Sequence, residues 1–320
     1  MRDPCKTILR ARAIGVLLGA TLTAGAGMAQ VPPDVAARIA AIGRVVDPPA
    51  TARIYAPIQK TMPVPGVKAT RDIAYGSGPR QTLDVFTTQA KAAPKPILIV
   101  VHGGGFVGGD KSRSPDGAAS PFYDNMMLWA VGHGMVGVNI NYEWAPKAGY
   151  PEVQHQIAQA MAWARQNAAS FGGDPERVIL WGHSAGAAHV GSFLAHPEAY
   201  ADVAGARDDV SAAILTSGAY DMAAPKDHVY YGPSARLEDR SSTAGLVRSR
   251  VPLFVICAEL DPEPMVVQAR ALDGALTRAG RTHRFMVAAK HGHMSESYAV
   301  NTADESVSGP VLSFIRTYAK

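Results

Sequence analysis

Cysteine is nearly absent from this sequence of 320 residues, which contains only Cys5 and Cys257. Two cysteines allow at most one disulfide, which excludes a small domain held together by several bridges. Cys257 ends the apolar run Leu253–Cys257, where a buried, unreactive thiol is expected. A domain of this length buries enough apolar surface to fold without covalent cross-links.

The first 29 residues contain no apolar stretch long enough for a membrane-spanning helix. A basic start precedes the uncharged stretch Ala13–Leu22, and small residues follow up to Ala29. This layout predicts a secretory signal peptide at residues 1–29 and export of the remaining chain to the periplasm or beyond. No cysteine stands at the predicted cleavage point, so we expect neither a lipid anchor nor another stable membrane anchor.

A strong charge of either sign is missing as well. The chain has 31 Lys and Arg residues against 27 Asp and Glu residues, a formal net charge of +4. The predicted leader holds four of the basic residues and one of the acids, so the rest of the chain is close to neutral. Near neutrality gives no electrostatic basis for binding nucleic acid or an anionic membrane, and we expect neither partner.

The part after the leader begins with a proline-rich arm or partial cap, residues 30–66. One helix is predicted at Pro33–Ile42, and the prolines beyond it are expected to break any longer element. These prolines stand at Pro48-Pro49, Pro57 and Pro63–Pro65. The pattern changes at Val67, and residues 67–320 are predicted to form one main domain.

This main domain has the pattern of an α/β fold. Two paired strands are predicted at Val67–Tyr75 and Thr82–Thr87. Six continuous apolar runs follow: Ile97–Val101, Met135–Ile140, Val178–Trp181, Ala212–Leu215, Leu253–Cys257 and Phe285–Ala288. Amphipathic, helix-length segments lie between several of them: Pro121–Val131, Val153–Ala169, Ala185–Leu194, Pro264–Ala279 and Asp304–Tyr318. Such alternation predicts a mostly parallel, doubly wound sheet with helices on both faces. Asp221–Arg250 lacks clear periodicity, which fits an insertion over the functional site.

A candidate nucleophile follows the run Val178–Trp181. Residues Gly182–Gly186 read G-x-S-x-G, the pattern of a sharp strand-to-helix turn that presents the hydroxyl of Ser184. The strained serine backbone brings neighbouring chain close, so side chains at Gly182 and Gly186 are expected to collide with it. A serine hydroxyl also needs a base, an acid that orients the base, and donors for an oxyanion.

The donors are expected in the glycine loop His102–Phe106, which follows the run Ile97–Val101. Glycines let backbone N–H groups approach a developing oxyanion, and Gly104, Gly105 and Ala185 are the candidates. The spacing Gly103-x-Gly105-x-x-Gly108 also fits a dinucleotide-binding turn. However, the polar stretch that follows does not open a helix, so we expect no cofactor.

Candidates for the acid and the base come later, after apolar runs. Asp261 follows Leu253–Cys257 and is our first candidate for the acid, with Glu259 second and Asp221 third. His291 and His293 follow the run Phe285–Ala288, which gives the chain order serine, acid, histidine. One of them is expected to be the base, and the pattern alone does not choose between them. Their spacing also fits two metal ligands, but without a convincing third ligand cluster we predict no metal site.

With these residues in place, the chain resembles the hormone-sensitive-lipase-like carboxylesterases of the α/β-hydrolase superfamily. The similarity runs from about Pro63 to the C-terminus. Four segments carry it: His102–Phe106 (H-G-G-G-F), Asn141–Pro146 (similar to N-Y-R-L-A-P), Phe171–Arg177 (F-G-G-D-P-x-R) and Gly182–Gly186 (G-x-S-A-G). Glu143 and Trp144 depart from the usual Arg-Leu. Gln156 stands where an aspartate is common, so a structural polar link is expected to be absent.

The resemblance assigns a role to each candidate. It implies Ser184 as nucleophile, Asp261 as acid, His293 as base, and Gly104, Gly105 and Ala185 as oxyanion donors. The implied function is an exported serine carboxylesterase that acts on small acyl or aryl esters through an acyl-enzyme, with the ester as its partner and no cofactor. The same triad would also serve an amidase, a peptidase or an acyltransferase. A non-catalytic binding protein on this scaffold is the alternative from another class.

Overall fold

The computed structural model describes residues 30–88, 93–114, 117–205, 209–222, 228–231 and 241–320. The predicted leader lies outside these residues, as do parts of Asp221–Arg250. The described strands are β1 Val67–Ala74, β2 Thr82–Thr88, β3 Lys95–Val101, β4 Val136–Ile140, β5 Gly173–His183, β6 Ala212–Thr216, β7 Leu253–Leu260 and β8 His283–Gly292. The α-helices are α1 Pro33–Ile42, α2 Pro48–Tyr55, α3 Pro121–Gly132, α4 Glu152–Asn167, α5 Ala185–Ala195, α6 His228–Tyr231, α7 Thr243–Arg248, α8 Glu263–Arg278, α9 Ser295–Tyr298 and α10 Ser308–Tyr318.

The strands form one eight-stranded sheet in the order β1-β2-β4-β3-β5-β6-β7-β8. β1 and β2 pair antiparallel, β2 also pairs antiparallel with β4, and the remaining pairs are parallel. The predicted fold class is thereby confirmed. Because parallel strands share one direction, the carboxyl ends of β3, β5, β7 and β8 meet at the same edge of the sheet.

Helices cover both faces of the sheet, which explains why the strand runs are apolar throughout. Ile97, Ile99 and Val101 of β3 pack in the core that contains α4, α5 and α8. Leu98 and Val100 of the same strand pack in the opposite core, with α3 and α10. Alternate side chains of a strand point to opposite faces, so each buried face requires its own apolar set.

The arm contains a second helix that the sequence did not predict. Pro48 and Pro49 begin helix α2, because the first helical turn needs no donor from their nitrogen atoms. Asp47 caps this helix, its Oδ1 accepting a hydrogen bond of 2.8 Å from the N–H of Ala50. The elements of the arm stay short, as expected, but helix α2 was not among the predicted elements.

The arm packs against the segment that follows β8. Val35, Ile39 and Tyr55 form one apolar cluster with Met294 and Tyr298. Additional polar contacts fix the arm in place: the Arg44 guanidinium donates to the carbonyl oxygen of Asp261 at 3.2 Å, and the Gln59 amide donates to that of Tyr298. The arm thus supports the loops that carry the predicted acid and base.

A buried ion cluster fixes the segment that follows the glycine loop. Lys111 is almost fully buried, and its Nζ lies 2.6 Å from Asp84 Oδ1 and 2.6 Å from Asp72 Oδ1. The other Asp84 oxygen accepts from Arg71 at 2.7 Å, and the Lys111 N–H donates to Asn141 Oδ1 at 2.7 Å. Since Asp84 is completely buried, its charge depends on these two cations.

We expect Lys111→Met to lower the free energy of unfolding by about 3 kcal/mol, because it leaves a buried carboxylate short of a partner. Urea unfolding at neutral pH measures this loss. The matched control is Lys147→Met, since Lys147 is exposed and Glu143, its buried partner at 3.1 Å, also accepts a hydrogen bond from the Arg80 N–H. Its expected loss is below about 1 kcal/mol. Equal small losses in both variants would show that the buried Asp84 does not depend on Lys111.

Candidate active site

The turn between β5 and α5 consists of a single residue, Ser184, whose φ is 56° and ψ is −124°. A positive φ is costly for a residue with a side chain, so the surrounding structure must hold it. One of the contacts that fix this backbone is the hydrogen bond from the Ser184 N–H to the carbonyl oxygen of Thr216, at 2.8 Å. The side chain of Ser184 is left partly exposed at the carboxyl edge of the sheet.

The two glycines of the elbow are sterically required, as the sequence predicts. A Cβ on Gly182 would lie 2.4 Å from the carbonyl oxygen of Gly186. A Cβ on Gly186 would lie 2.1 Å from the carbonyl oxygen of Val101 and 2.5 Å from that of His102. Both distances are far below contact distance, and the atoms met are backbone atoms that cannot rotate away. The elbow therefore packs directly against the end of β3.

The structure brings Ser184, His293 and Asp261 together in one hydrogen-bonded row. Ser184 Oγ lies 2.8 Å from His293 Nε2, and His293 Nδ1 lies 2.8 Å from Asp261 Oδ1. A carboxylate can only accept, so Nδ1–H donates to Asp261 and Nε2 is left to accept from the serine hydroxyl. Each of the three residues follows the end of a different strand, β5, β8 or β7.

His291, the other candidate base, is turned away from Ser184 and fully buried. Its Nδ1 lies 3.0 Å from Ser295 Oγ, and its Nε2 lies 2.9 Å from Ser306 Oγ and 3.3 Å from Asp304 Oδ2. These contacts occupy both ring nitrogens. Of the two histidines in the motif, His293 alone reaches Ser184 in the described structure.

The other candidate acids also lie elsewhere. Glu259 Oε2 accepts a hydrogen bond of 2.6 Å from the N–H of Lys290, and Asp221 is exposed, with its N–H donating to Gln268 at 2.9 Å. Asp261, by contrast, is completely buried behind His293.

The predicted oxyanion donors lie in the glycine loop after β3 and at the first residue of α5. The N–H groups of Gly104, Gly105 and Ala185 donate to no acceptor among the described residues. Gly104 has a φ of 143°, and a Cβ there would lie 2.0 Å from the carbonyl oxygen of Gly108. Ala185 is the first residue of α5, where the helix dipole adds positive potential. Three N–H groups without a protein acceptor therefore occur in the glycine loop and at the start of α5, in the described part of the chain.

The base of the glycine loop is held by aromatic and imidazole rings. His102 is completely buried, and burial lowers its pKa to about 4, so the ring is neutral. The ring of Tyr142 stacks on it with centroids 4.4 Å apart, and the Tyr142 hydroxyl donates to the His102 carbonyl oxygen at 2.7 Å. The loop therefore starts from a rigid support.

The polar link expected to be missing at Gln156 is present. Gln156 Oε1 accepts a hydrogen bond of 2.9 Å from the N–H of Glu143, and its Nε2 donates to Glu152 at 2.9 Å. An amide oxygen can take the acceptor role of a carboxylate, which is why this departure leaves the link intact. Trp144, the other departure, lies under the Arg80 guanidinium, 3.9 Å from its carbon to the ring centroid.

Sequence reasoning missed two residues that surround the acid. Ser217 follows β6 with a φ of 51°, and its hydroxyl donates to Asp261 Oδ2 at 2.5 Å. Glu296 is completely buried, and burial together with the nearby Asp261 raises the pKa of its carboxyl well above 4.5. Ser217 directly follows the end of β6, and this position after a strand could have identified it from the sequence. Glu296 has no local sequence signal that would indicate its burial.

No cluster of three or more His, Cys, Asp or Glu side chains able to hold a metal ion occurs in the described part of the chain. Within the same ranges, none of the helices combines the length and the apolar character that crossing a membrane requires.

Known proteins resemble this chain in sequence. Residues 83–236 match the family described as BD-FAE. Esterase LipQ of Mycobacterium tuberculosis is 29% identical over 268 residues, covering 77% of this chain and 62% of LipQ. Esterase LipC of the same organism is 31% identical over 194 residues, covering 57% of this chain and 46% of LipC. The chain thus spans less than two thirds of the length of either relative.

Solved structures resemble it in fold. Esterase B from Lactobacillus rhamnosis superposes with a TM-score of 0.69 at 16% identity, covering 89% of this chain and 94% of that one. At this identity the likeness establishes the fold. Together with the matched sequence motifs, it makes the chain similar to the hormone-sensitive-lipase-like carboxylesterases of the α/β-hydrolase superfamily.

Proposed function

We propose that this protein is an exported serine carboxylesterase that hydrolyses small acyl or aryl esters. One observation carries the proposal: the row from Ser184 Oγ to His293 to Asp261, with both distances at 2.8 Å. A serine hydroxyl hydrogen-bonded to a neutral imidazole, which in turn is oriented by a buried carboxylate, is an activated nucleophile. The export part of the proposal rests on the leader pattern at residues 1–29.

In the proposed reaction, Ser184 Oγ attacks the ester carbonyl carbon while His293 Nε2 takes the hydroxyl proton. Asp261 stabilises the imidazolium that forms, and the free N–H groups of Gly104, Gly105 and Ala185 stabilise the oxyanion. Collapse of this intermediate breaks the bond to the alcohol, which leaves with the proton from His293. Water then attacks the acyl-enzyme by the same route and releases the acid.

The relatives support ester substrates of modest size. LipQ and LipC carry the name esterase, and a Bacillus subtilis relative, 32% identical over 143 residues, is a para-nitrobenzyl esterase. Esterase B of Lactobacillus rhamnosis has been crystallised inhibited by a tributyrin phosphonate, which has short acyl chains. We therefore propose short-chain acyl and aryl esters as the substrate class.

We expect Ser184→Ala to lower kcat for p-nitrophenyl butyrate by at least about 1,000-fold, because it removes the nucleophile but leaves the fold intact. Hydrolysis rates and labelling with a fluorophosphonate probe measure the effect. Ser192→Ala is the matched control, since Ser192 is a buried serine on α5, the helix that follows Ser184, and its Oγ has no hydrogen-bond partner among the described residues.

The control should keep wild-type turnover and labelling. Turnover by Ser184→Ala within about tenfold of the wild type would overturn the mechanism. A matched pair of p-nitrophenyl ester and p-nitroanilide substrates separates an esterase from an amidase, because both carry the same acyl group to the same serine. Faster cleavage of the anilide would overturn the proposed substrate class.

Glu296 affects how the proposed triad is charged. Its buried carboxyl binds a proton in the folded protein at pH values where the unfolded chain has lost it, because the folded pKa lies well above 4.5. Glu296 then adds no second negative charge behind His293, so it does not compete with Asp261 for the imidazolium of the proposed reaction. The same proton uptake makes the free energy of unfolding fall as the pH rises above the unfolded pKa.

We expect Glu296→Gln to become more stable relative to the wild type as the pH rises. The amide removes the proton uptake, so the difference in free energy of unfolding should grow by up to about 1.4 kcal/mol per pH unit. Urea unfolding between about pH 5 and pH 8 measures this slope. Glu305→Gln, at an exposed acid, is the control and should show none. Parallel stability curves for Glu296→Gln and the wild type would refute the buried neutral acid.

A further inference from the structure

A row of buried hydrogen bonds connects the glycine loop with the residue proposed as the base. It starts at Gly103 and ends at the carbonyl oxygen of His293. The Gly103 N–H lies 2.9 Å from the Tyr123 hydroxyl oxygen, and this oxygen lies 3.1 Å from His183 Nδ1. His183 Nε2 lies 2.9 Å from the carbonyl oxygen of His293. All four residues are buried, so water does not compete for these groups.

The direction of every hydrogen bond in the row follows from the groups present. The carbonyl oxygen of His293 can only accept, so His183 donates from Nε2–H. Burial lowers the pKa of His183 to about 3, so the ring is neutral and its Nδ1 has no proton. Tyr123 therefore donates its O–H to Nδ1, and its oxygen accepts the N–H of Gly103. Only one arrangement of protons satisfies all the groups.

The ends of the row are the parts that must keep a fixed separation during the reaction. Gly103 directly precedes Gly104 and Gly105, the proposed donors to the oxyanion. His293 holds the proton that moves between serine and leaving group, and His183 directly precedes Ser184. No described residue other than Tyr123 accepts the Gly103 N–H, so the row has no substitute at that position.

We propose that Tyr123 and His183 are positioning residues that hold the oxyanion loop and the base at a fixed separation around Ser184. The inference rests on the proposed esterase function. Neither side chain touches the ester, so breaking the row should slow the chemical step and leave substrate binding nearly unchanged. A misplacement of about 1 Å is enough to slow such a step about 100-fold.

The experiment compares Tyr123→Phe, His183→Ala and His183→Gln in the full chain, with p-nitrophenyl butyrate as substrate. We expect kcat to fall about tenfold in Tyr123→Phe and about 100-fold in His183→Ala, with KM within about threefold of the wild type. His183→Gln retains a donor toward the His293 carbonyl, so its kcat should be about tenfold higher than that of His183→Ala. The double variant Tyr123→Phe/His183→Ala should be no slower than His183→Ala, because the row is already broken.

The matched control is Tyr200→Phe. The Tyr200 hydroxyl is buried and donates to the carbonyl oxygen of Phe193 at 3.1 Å, near the end of α5 that lies away from Ser184. Its loss should lower Tm while kcat stays at the wild-type value. If Tyr123→Phe likewise lowers Tm and keeps kcat within about twofold, or changes KM alone, the positioning role is wrong.

A second measurement does not depend on activity or on the folding of a variant. In the ¹⁵N spectrum of wild-type histidines between about pH 6 and pH 9, His183 should show a protonated Nε2 and an unprotonated Nδ1 throughout. The opposite tautomer, or a charged ring, would overturn the row. A wild type that neither hydrolyses esters nor reacts with fluorophosphonate would overturn the proposed function instead, even with the expected tautomer.

Discussion

The close approach of two chain segments, the end of β3 and the turn after β5, is the constraint on which the site depends. Gly186 leaves no room for a Cβ between α5 and the carbonyl oxygens of Val101 and His102. A Cβ on Gly103 would likewise lie 2.9 Å from the Cβ of Ser184. Ser184, the proposed nucleophile, and the proposed oxyanion loop are therefore packed in direct contact, so a shift of one would require a shift of the other. This contact explains why glycines stand on both sides of it.

Much of this arrangement follows from sequence because it depends on local rules. Continuous apolar runs predicted the parallel strands, since both faces of the sheet are buried, and the candidate residues were found where those runs end. The choice between His291 and His293 was different. His291 lies at the end of β8 and His293 directly after it, and the contacts with Ser295, Ser306 and Asp304 turn His291 inward.

The residues that sequence reasoning missed share one cause. The helical pattern at Tyr123 correctly indicates a buried face of α3, but periodicity does not tell whether a tyrosine hydroxyl meets an imidazole or a methyl group. Ser217 and Glu296 likewise become meaningful only when β6 and α9 are placed beside Asp261. Pro48 and Pro49 show a related limit of sequence reasoning: a proline can mark the start of a helix as well as the end of one, and here it begins α2.

Burial also controls the charges of the titratable groups around the proposed triad. His102 and His183 are held neutral by burial, which lowers their pKa values to about 4 and about 3, and burial raises the pKa of Glu296 so that it stays protonated. Asp261 is the carboxyl group in direct contact with His293, and a neutral Glu296 adds no second charge beside it. In the proposed reaction, the field of one fixed carboxylate in a medium of low dielectric constant would act strongly on the imidazolium that forms. Additional charged groups nearby would oppose either the imidazolium or the oxyanion, so the neutrality of these buried residues is itself part of how the site is prepared for the reaction.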